Sequence, residues 1–260
     1  MKTRFPHSTL ASLTRPFVFA AALLVCASLH AQTTFYSNLT TFTGQAYSPQ
    51  ASGATGSGTF ITPLVADDLN LIAAGAGAAV TRFQFTVANF NATTVSARPI
   101  VNFYANNGSG GGPGALLFSV TFNAVTLTGS SVSSFTFAPG GTLFTVPANA
   151  ALWAGMMFDN GGTSTATQAQ LNNFGQGIFN PPTIGSSADV FFRSTANGPT
   201  GSNPAGAFQN FGGNPPANFG WSVAGTAAPA VPETGSTILL LALAVGGVAV
   251  AQRRMERSAS

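Results

Sequence analysis

Between Gln32 and Ala230 this chain has no histidine, cysteine, lysine or glutamate. The histidines, His7 and His30, and the lone cysteine, Cys26, lie near the start; the glutamates, Glu233 and Glu256, lie near the end. The body between them therefore cannot build a Ser-His-Asp or Cys-His arrangement, nor a lysine nucleophile. A zinc site there would have only aspartates to draw on. A carboxylate pair for glycoside hydrolysis would have to come from Asp67, Asp68, Asp159 and Asp189. The expectation is a protein that is not an enzyme. No disulfide can staple the body either, so roughly 200 residues must rely on one hydrophobic core.

Charge is scarce as well. The whole chain carries a formal net charge of +3, but Lys2, Arg4, Arg15, Arg253, Arg254 and Arg257 belong to its two ends. The body holds only Arg82, Arg98 and Arg193 against the four aspartates. No basic patch is left to displace counterions from a phosphate backbone, which excludes nucleic acid as the expected partner.

The two ends read as targeting segments. Residues 1–31 combine a positive start, an apolar stretch from Phe17 to Ala27 and small residues after it, which is the order of a secretory signal peptide. Cleavage is expected after Ala31, or failing that after Ala27. Val25 is too large for the residue that precedes a lipid-modified cysteine, so Cys26 is read as part of the apolar core. At the other end, the motif Val231, Pro232, Glu233, Thr234, Gly235, Ser236, Thr237 precedes an uncharged run over 238–251 and a basic tail over 252–260. The run is read as a single transmembrane helix, although it is shorter than the roughly 20 residues of a comfortable span. Arg253, Arg254 and Arg257, opposed by Glu256 alone, assign the tail to the cytoplasm and everything before Val231 to the outside.

This three-part tail resembles the PEP-CTERM class of bacterial sorting signal, most closely its Val-Pro-Asp-Ser-Gly variant. Val231, Pro232, Gly235, Ser236 and Thr237 match that variant, while Glu233 and Thr234 depart conservatively and Thr234 breaks the Pro-Glu-Pro core of the wider class. Val231 to Gly235 also resembles the Leu-Pro-any-Thr-Gly signal of sortase substrates. The resemblance implies a Gram-negative-type source and cleavage near the motif by an exosortase-type membrane transpeptidase. It further implies release to, or attachment at, the outer surface after transient or retained anchoring in the inner membrane. A sortase-type enzyme or an uncleaved tether is the alternative. Residues 226–230 form a stiff Ala/Pro spacer before the motif.

Residues 32–225 read as one extracellular all-β domain, an antiparallel β-sandwich or jelly roll. Arg82 to Val87 alternates polar and apolar side chains at the period of a half-buried strand. Pro99–Tyr104, Leu116–Phe122, Ser133–Phe137, Thr142–Val146, Leu152–Phe158, Phe191–Phe192 and Phe219–Val223 repeat the signal between Gly, Pro or Asn breaks. Asn107-Gly108, Asn160-Gly161 and Asn197-Gly198 are hairpin-type turns. Most of the 23 phenylalanines are expected in the core. Val65–Leu69, Asn102–Asn107 leading to Gly112-Pro113-Gly114, and Leu152–Gly155 also resemble, loosely, a β-rich domain found in front of such tails.

Smaller motifs carry the remaining expectations. The loop Gly108–Gly114 lacks the Gly-Lys-Ser/Thr of a phosphate cradle and is read as a flexible hairpin loop. Asp67 and Asp68, completed by Asp159 or Asn160, are the candidate calcium ligands, because calcium takes several hard oxygens. Neighbours on a strand point to opposite faces, so both can ligate only where the backbone turns. Asn173-Phe174-Gly175, Asn210-Phe211-Gly212, Asn218-Phe219-Gly220, Asn180-Pro181-Pro182 and Asn214-Pro215-Pro216 echo one another at uneven spacing and are read as turns. The resulting expectation is a surface-sorted structural or adhesive protein of the envelope or extracellular matrix, contacting polysaccharide or copies of itself. The alternative is a carbohydrate-binding module, calcium-dependent or not, with Tyr36, Tyr47, Tyr104 or Trp221 as stacking platforms.

Overall fold

The structure, a computed structural model of the chain, describes residues 32–55, 58–72, 74, 77–198 and 201–227. The expected signal peptide over 1–31, most of the expected spacer, and the expected sorting motif, apolar run and basic tail over 231–260 lie outside the described residues. Among those described, no helix is long and apolar enough to cross a membrane.

The body is all-β and antiparallel. In chain order the strands are β1 (Gln32–Ser37), β2 (Phe42–Tyr47), β3 (Gly53–Ala54), β4 (Phe60–Ile61), β5 (Pro63–Asn70), β6 (Ala79–Asn89) and β7 (Val95–Ala105). They continue with β8 (Leu116–Thr121), β9 (Val125–Leu127), β10 (Ser131–Phe137), β11 (Phe144–Thr145) and β12 (Ala151–Asp159). After a one-turn helix α1 (Gln168–Leu171) come β13 (Phe174–Phe179), β14 (Phe191–Asn197), β15 (Gly206–Gln209) and β16 (Trp221–Thr226). Thr167 caps α1: its hydroxyl accepts the Gln170 N–H and its own N–H is taken by the Gln170 side chain.

Two sheets make a sandwich-like body. In the first the order is β1-β16-β6-β13-β2, with β10 and β11 on the other edge of β6. In the second it is β15-β14-β5-β12, with β4 and β3 beyond one end of β12 and β7, carrying β8 and β9, on its other edge. The alternation expected at Arg82–Val87 is what lets β6 face two ways: Phe83, Phe85 and Val87 are buried, while Arg82 and Gln84 reach outward. Between the sheets Phe83 meets Phe103 at 5.0 Å, Phe103 meets Trp221 at 5.8 Å, and Phe158 meets Phe174 at 5.7 Å. These separations are those of tilted and edge-on aromatic pairs, which add to the gain from burial.

The second sheet is covered on its outer face too, which explains why every residue of β12 is buried and the strand shows no alternation. Ile61, Leu64, Ala66, Ile100, Tyr104, Trp153, Met157 and Phe192 form a second apolar cluster there. The cover is tight at Gly155, where a Cβ would stand 2.6 Å from Leu64 Cδ1. The loop expected to be a flexible hairpin is part of this cover. Trp153 Nε1 donates to the Gly111 carbonyl at 2.9 Å and lies 3.2 Å from Asn106 Oδ1, and Gly108 N–H donates to the Gly112 carbonyl. A buried indole N–H without a partner is costly, and at Trp153 the glycine loop supplies a carbonyl close enough.

Candidate functional site

Two places on this scaffold gather polar groups in ways that go beyond packing. The first lies around Asp67 and Asp68. On the outer edge of β5, Asp67 pairs with Phe191 and Asn70 with Ser186, so five steps of one strand oppose three of the other. Two residues are extra, and the resulting bulge carries Ser187 and Ala188 out of register and across the strand edge. That local excursion lets consecutive aspartates reach one group. Ser187 Oγ lies 3.1 Å from Asp67 Oδ1, 3.2 Å from Asp68 Oδ1 and 3.0 Å from Asn218 Oδ1. Phe219 N–H donates to Asp67 Oδ2 at 2.8 Å, and Ala188 N–H donates to Asp68 at 3.0 Å. Asn218 in turn donates through Nδ2 to Asn180 Oδ1 at 2.9 Å.

Asp67 is 0% exposed. Burial pushes its carboxyl well above the usual carboxylate range, and the charge of Asp68 pushes the same way against the donors just named. Burial also raises Asp68, against the Ala188 and Ser187 hydrogen bonds. The Tyr36 phenol, inside the same region, is raised by burial and by the charge of Asp67. A carboxyl with a raised folded-state pKa binds its proton more tightly when folded. Its contribution is therefore fully present below the unfolded value of about 4 and is lost as pH rises through the folded value. In chelator-treated buffer, the urea midpoint is expected to fall as pH climbs from about 4 towards neutrality, with a shallower fall in Asp67→Asn. A midpoint that climbs over that interval in the wild type would show the anion to be the stabilised form.

The other expected calcium ligand stands elsewhere. Asp159 ends β12 opposite Ile61, whereas Asp67 opposes Ala154, five residues back along the same strand, which is about 17 Å at strand rise. Its carboxylate is taken by Arg98, with Nε to Oδ1 at 2.6 Å and Nη2 to Oδ2 at 2.7 Å, and by the Gly161 N–H at 3.0 Å. Asn160 holds the Phe60 N–H and the Ala166 carbonyl. Ser187 and Asn218 were not singled out from the sequence as ligands; Asn218 was read there only as a turn residue. Among the described residues no three His, Cys, Asp or Glu side chains gather.

The second place is a pair of adjoining hollows of ≈ 440 and ≈ 280 Å³ that share Ala46 and Phe90 as a common wall. The larger is lined by Tyr47, Gln50, Asn173, Arg193 and Gln209, the smaller by Phe42, Gln45 and Ser131. Phe42 and Phe90 are each 43% exposed. Arg193 is held by donation to the Pro49 carbonyl at 3.1 Å. Of the four aromatic residues expected as stacking platforms, Tyr36 and Trp221 are interior core residues and Tyr104 belongs to the covered outer cluster; all three are 0% exposed. Tyr47 alone borders a hollow, and its ring packs on Phe191, Phe211 and Phe219. Aromatic side chains mark strands and turns in the sequence alike, and only the sheet faces separate core from rim.

Together these features define an antiparallel, sandwich-like β protein with a buried acidic cluster and an open hollow edged by aromatic and amide groups. No family model, curated protein or solved structure matches the chain.

Proposed function

We propose that the chain is an exported, surface-sorted structural or adhesive protein of the bacterial envelope or extracellular matrix. In this reading a jelly-roll-like domain over 32–225 is delivered by the signal peptide over 1–31. It is carried to the surface by the sorting tail, which resembles that of exosortase substrates, and it contacts polysaccharide or further copies of itself. The observation that supports it most is the exposed, nearly uncharged double hollow beside Phe42 and Phe90. Flat apolar rings flanked by Asn, Gln and Ser suit neutral hydroxyl-rich polymers, since the rings stack on C–H faces while the amides pair with hydroxyls. The reading is non-catalytic and needs no nucleic acid.

Two measurements test it. Intact mass of protein recovered from the producing cells is expected to end near Glu233 or Thr234, with or without an added group, and a Val231-Pro232-Glu233 to Ala-Ala-Ala variant is expected to stay uncut. A wild-type mass that retains 238–260 would replace sorting with a plain tether. Retention on the cells' own extracellular polysaccharide is expected to drop in Phe42→Ala/Phe90→Ala while the unfolding midpoint holds. Equal retention would remove the hollow from the proposal. The same hollow favours a second reading, a carbohydrate-binding module that recognises a defined glycan, with Phe42, Phe90 and Tyr47 as the platforms. A glycan array that lights up for one structure favours it over general adhesion.

A further inference from the structure

The cluster on β5 has too few hydrogens for its oxygens. A serine hydroxyl carries one hydrogen, yet Ser187 Oγ is within hydrogen-bond distance of Asp67 Oδ1, Asp68 Oδ1 and Asn218 Oδ1, and of its neighbour's carbonyl, Ala188 O, at 3.4 Å. Asn218 cannot help with its amide hydrogens, because Nδ2 is turned to Asn180. Two carboxylates sharing one short-range neighbour repel each other, and either a proton or a cation relieves the repulsion. The body's cations are not at hand: Arg98 is committed to Asp159, Arg193 to the Pro49 carbonyl, and no arginine is among the groups that act on either carboxyl.

A separate side chain points to the same spot. Tyr36 enters from β1, on the other sheet; it is 0% exposed, and its hydroxyl makes no hydrogen bond. Ser187 faces that hydroxyl without reaching hydrogen-bond geometry, and the charges of Asp67 and Asp68 act on it. A buried hydroxyl left without a partner is costly and calls for an occupant it can bond. The opposite side is open: Asp68 and Ser187 are half-buried and Ala188 is exposed, which gives an ion a way in and room for coordinated water.

We propose that Asp67, Asp68, Asn218 and Ser187 bind one calcium ion, which ties the 186–191 bulge and the turn before β16 to β5. The donor set is hard oxygen throughout, two carboxylates balance the ion's charge, and carboxamide and hydroxyl oxygens with water fill a shell of six to eight. Magnesium demands a stricter octahedron and is held less well by such irregular donors. The ion would couple three segments distant in sequence, those around Asp67, Ser187 and Asn218. The site stands on this geometry alone and does not depend on the polysaccharide reading.

The test uses the full purified chain in detergent, stripped with chelator and titrated with calcium chloride at neutral pH by calorimetry and thermal unfolding. One ion per chain is expected, with Kd on the order of 10⁻⁴ to 10⁻³ M, a higher unfolding midpoint, and a weaker response to magnesium. Asp68→Asn, which changes a half-buried group and keeps its shape, is expected to weaken binding about tenfold or more, while Asp159→Asn leaves it unchanged. Tyr36→Phe and Asn218→Asp provide a second pair, with Asn218→Asp expected to tighten binding through its added charge. No calcium-dependent shift in a wild type that acidification alone stabilises would show that a proton, not a metal, fills the cluster. Binding equal in wild type and Asp68→Asn would place the ion elsewhere. Either result overturns the site, and neither touches retention on polysaccharide.

Discussion

Phe83→Ala is expected to cost about 3–5 kcal/mol of unfolding free energy, the range for deleting a buried aromatic ring. The residue is 1% exposed at the middle of β6 and faces the gap between the sheets. Its ring centroid lies 5.0 Å from Phe103 and 5.2 Å from Phe137, with Phe85, Phe118 and Phe122 at 6.0, 6.1 and 6.4 Å. Neighbours from two sheets leave little freedom to collapse into the space, so the cavity penalty adds to the lost transfer energy. With no disulfide available to the body, nothing covalent cushions the loss. Phe90→Ala, at a 43% exposed position, is expected within about 0.5 kcal/mol of wild type. Denaturant titrations of both variants decide the matter, and a smaller effect at Phe83 than at Phe90 would mean that the sandwich does not close around this ring.

The second large effect is expected at the ion pair between the second sheet's central strands. Arg98 on β7 opposes Asp159 on β12 directly, and the guanidinium grips both carboxylate oxygens. The Asp159 side chain is 5% exposed and that of Arg98 30%. Arg98→Ala leaves a buried carboxylate with the Gly161 N–H as its remaining donor. Removing one partner of a fully buried pair costs about 3–5 kcal/mol, but water reaches the arginine side here, so about 2 kcal/mol is the expected loss. Replacing both partners, as in Arg98→Met/Asp159→Leu, is expected to recover most of it, because the stranded charge goes as well. Urea unfolding of the single and double variants measures this. A double variant no better than Arg98→Ala would mean that the pair contributes through its geometry and not through the charge it neutralises.

How far the sequence carries depends on how each segment is buried. Arg82–Val87, Pro99–Tyr104, Ser133–Phe137 and Leu152–Phe158 fall in strands β6, β7, β10 and β12, and Leu116–Phe122 overruns the end of β8 by one residue. Phe174–Phe179 was missed: its Asn-Phe-Gly start reads as a turn, yet it is strand β13, buried throughout. Its glycines answer to neighbours instead of turns, since a Cβ on Gly177 would stand 2.8 Å from Val132 Cγ1. A strand covered on both faces loses the polar-apolar alternation by which strands are recognised. The Asn-Pro-Pro segments do lie outside strands, each with a cis peptide bond before its first proline. β5 and β15 escaped a strand reading for different reasons: one carries two aspartates in a row, the other is a four-residue exposed edge.

By itself the sequence determined the class of the body, its lack of imidazole, thiol and amine side chains, and its nearly balanced charge. These are matters of composition, period and order, which local chemistry fixes. Tertiary structure alone decided which aspartates meet. Asp67 and Asp68 came together with Ser187 and Asn218, while Asp159 went to Arg98. The reason is register: a two-residue excess between Ser186 and Phe191 turns one strand edge inward, and registers between strands 120 residues apart are set by packing of the whole sandwich, not by any local run of residues.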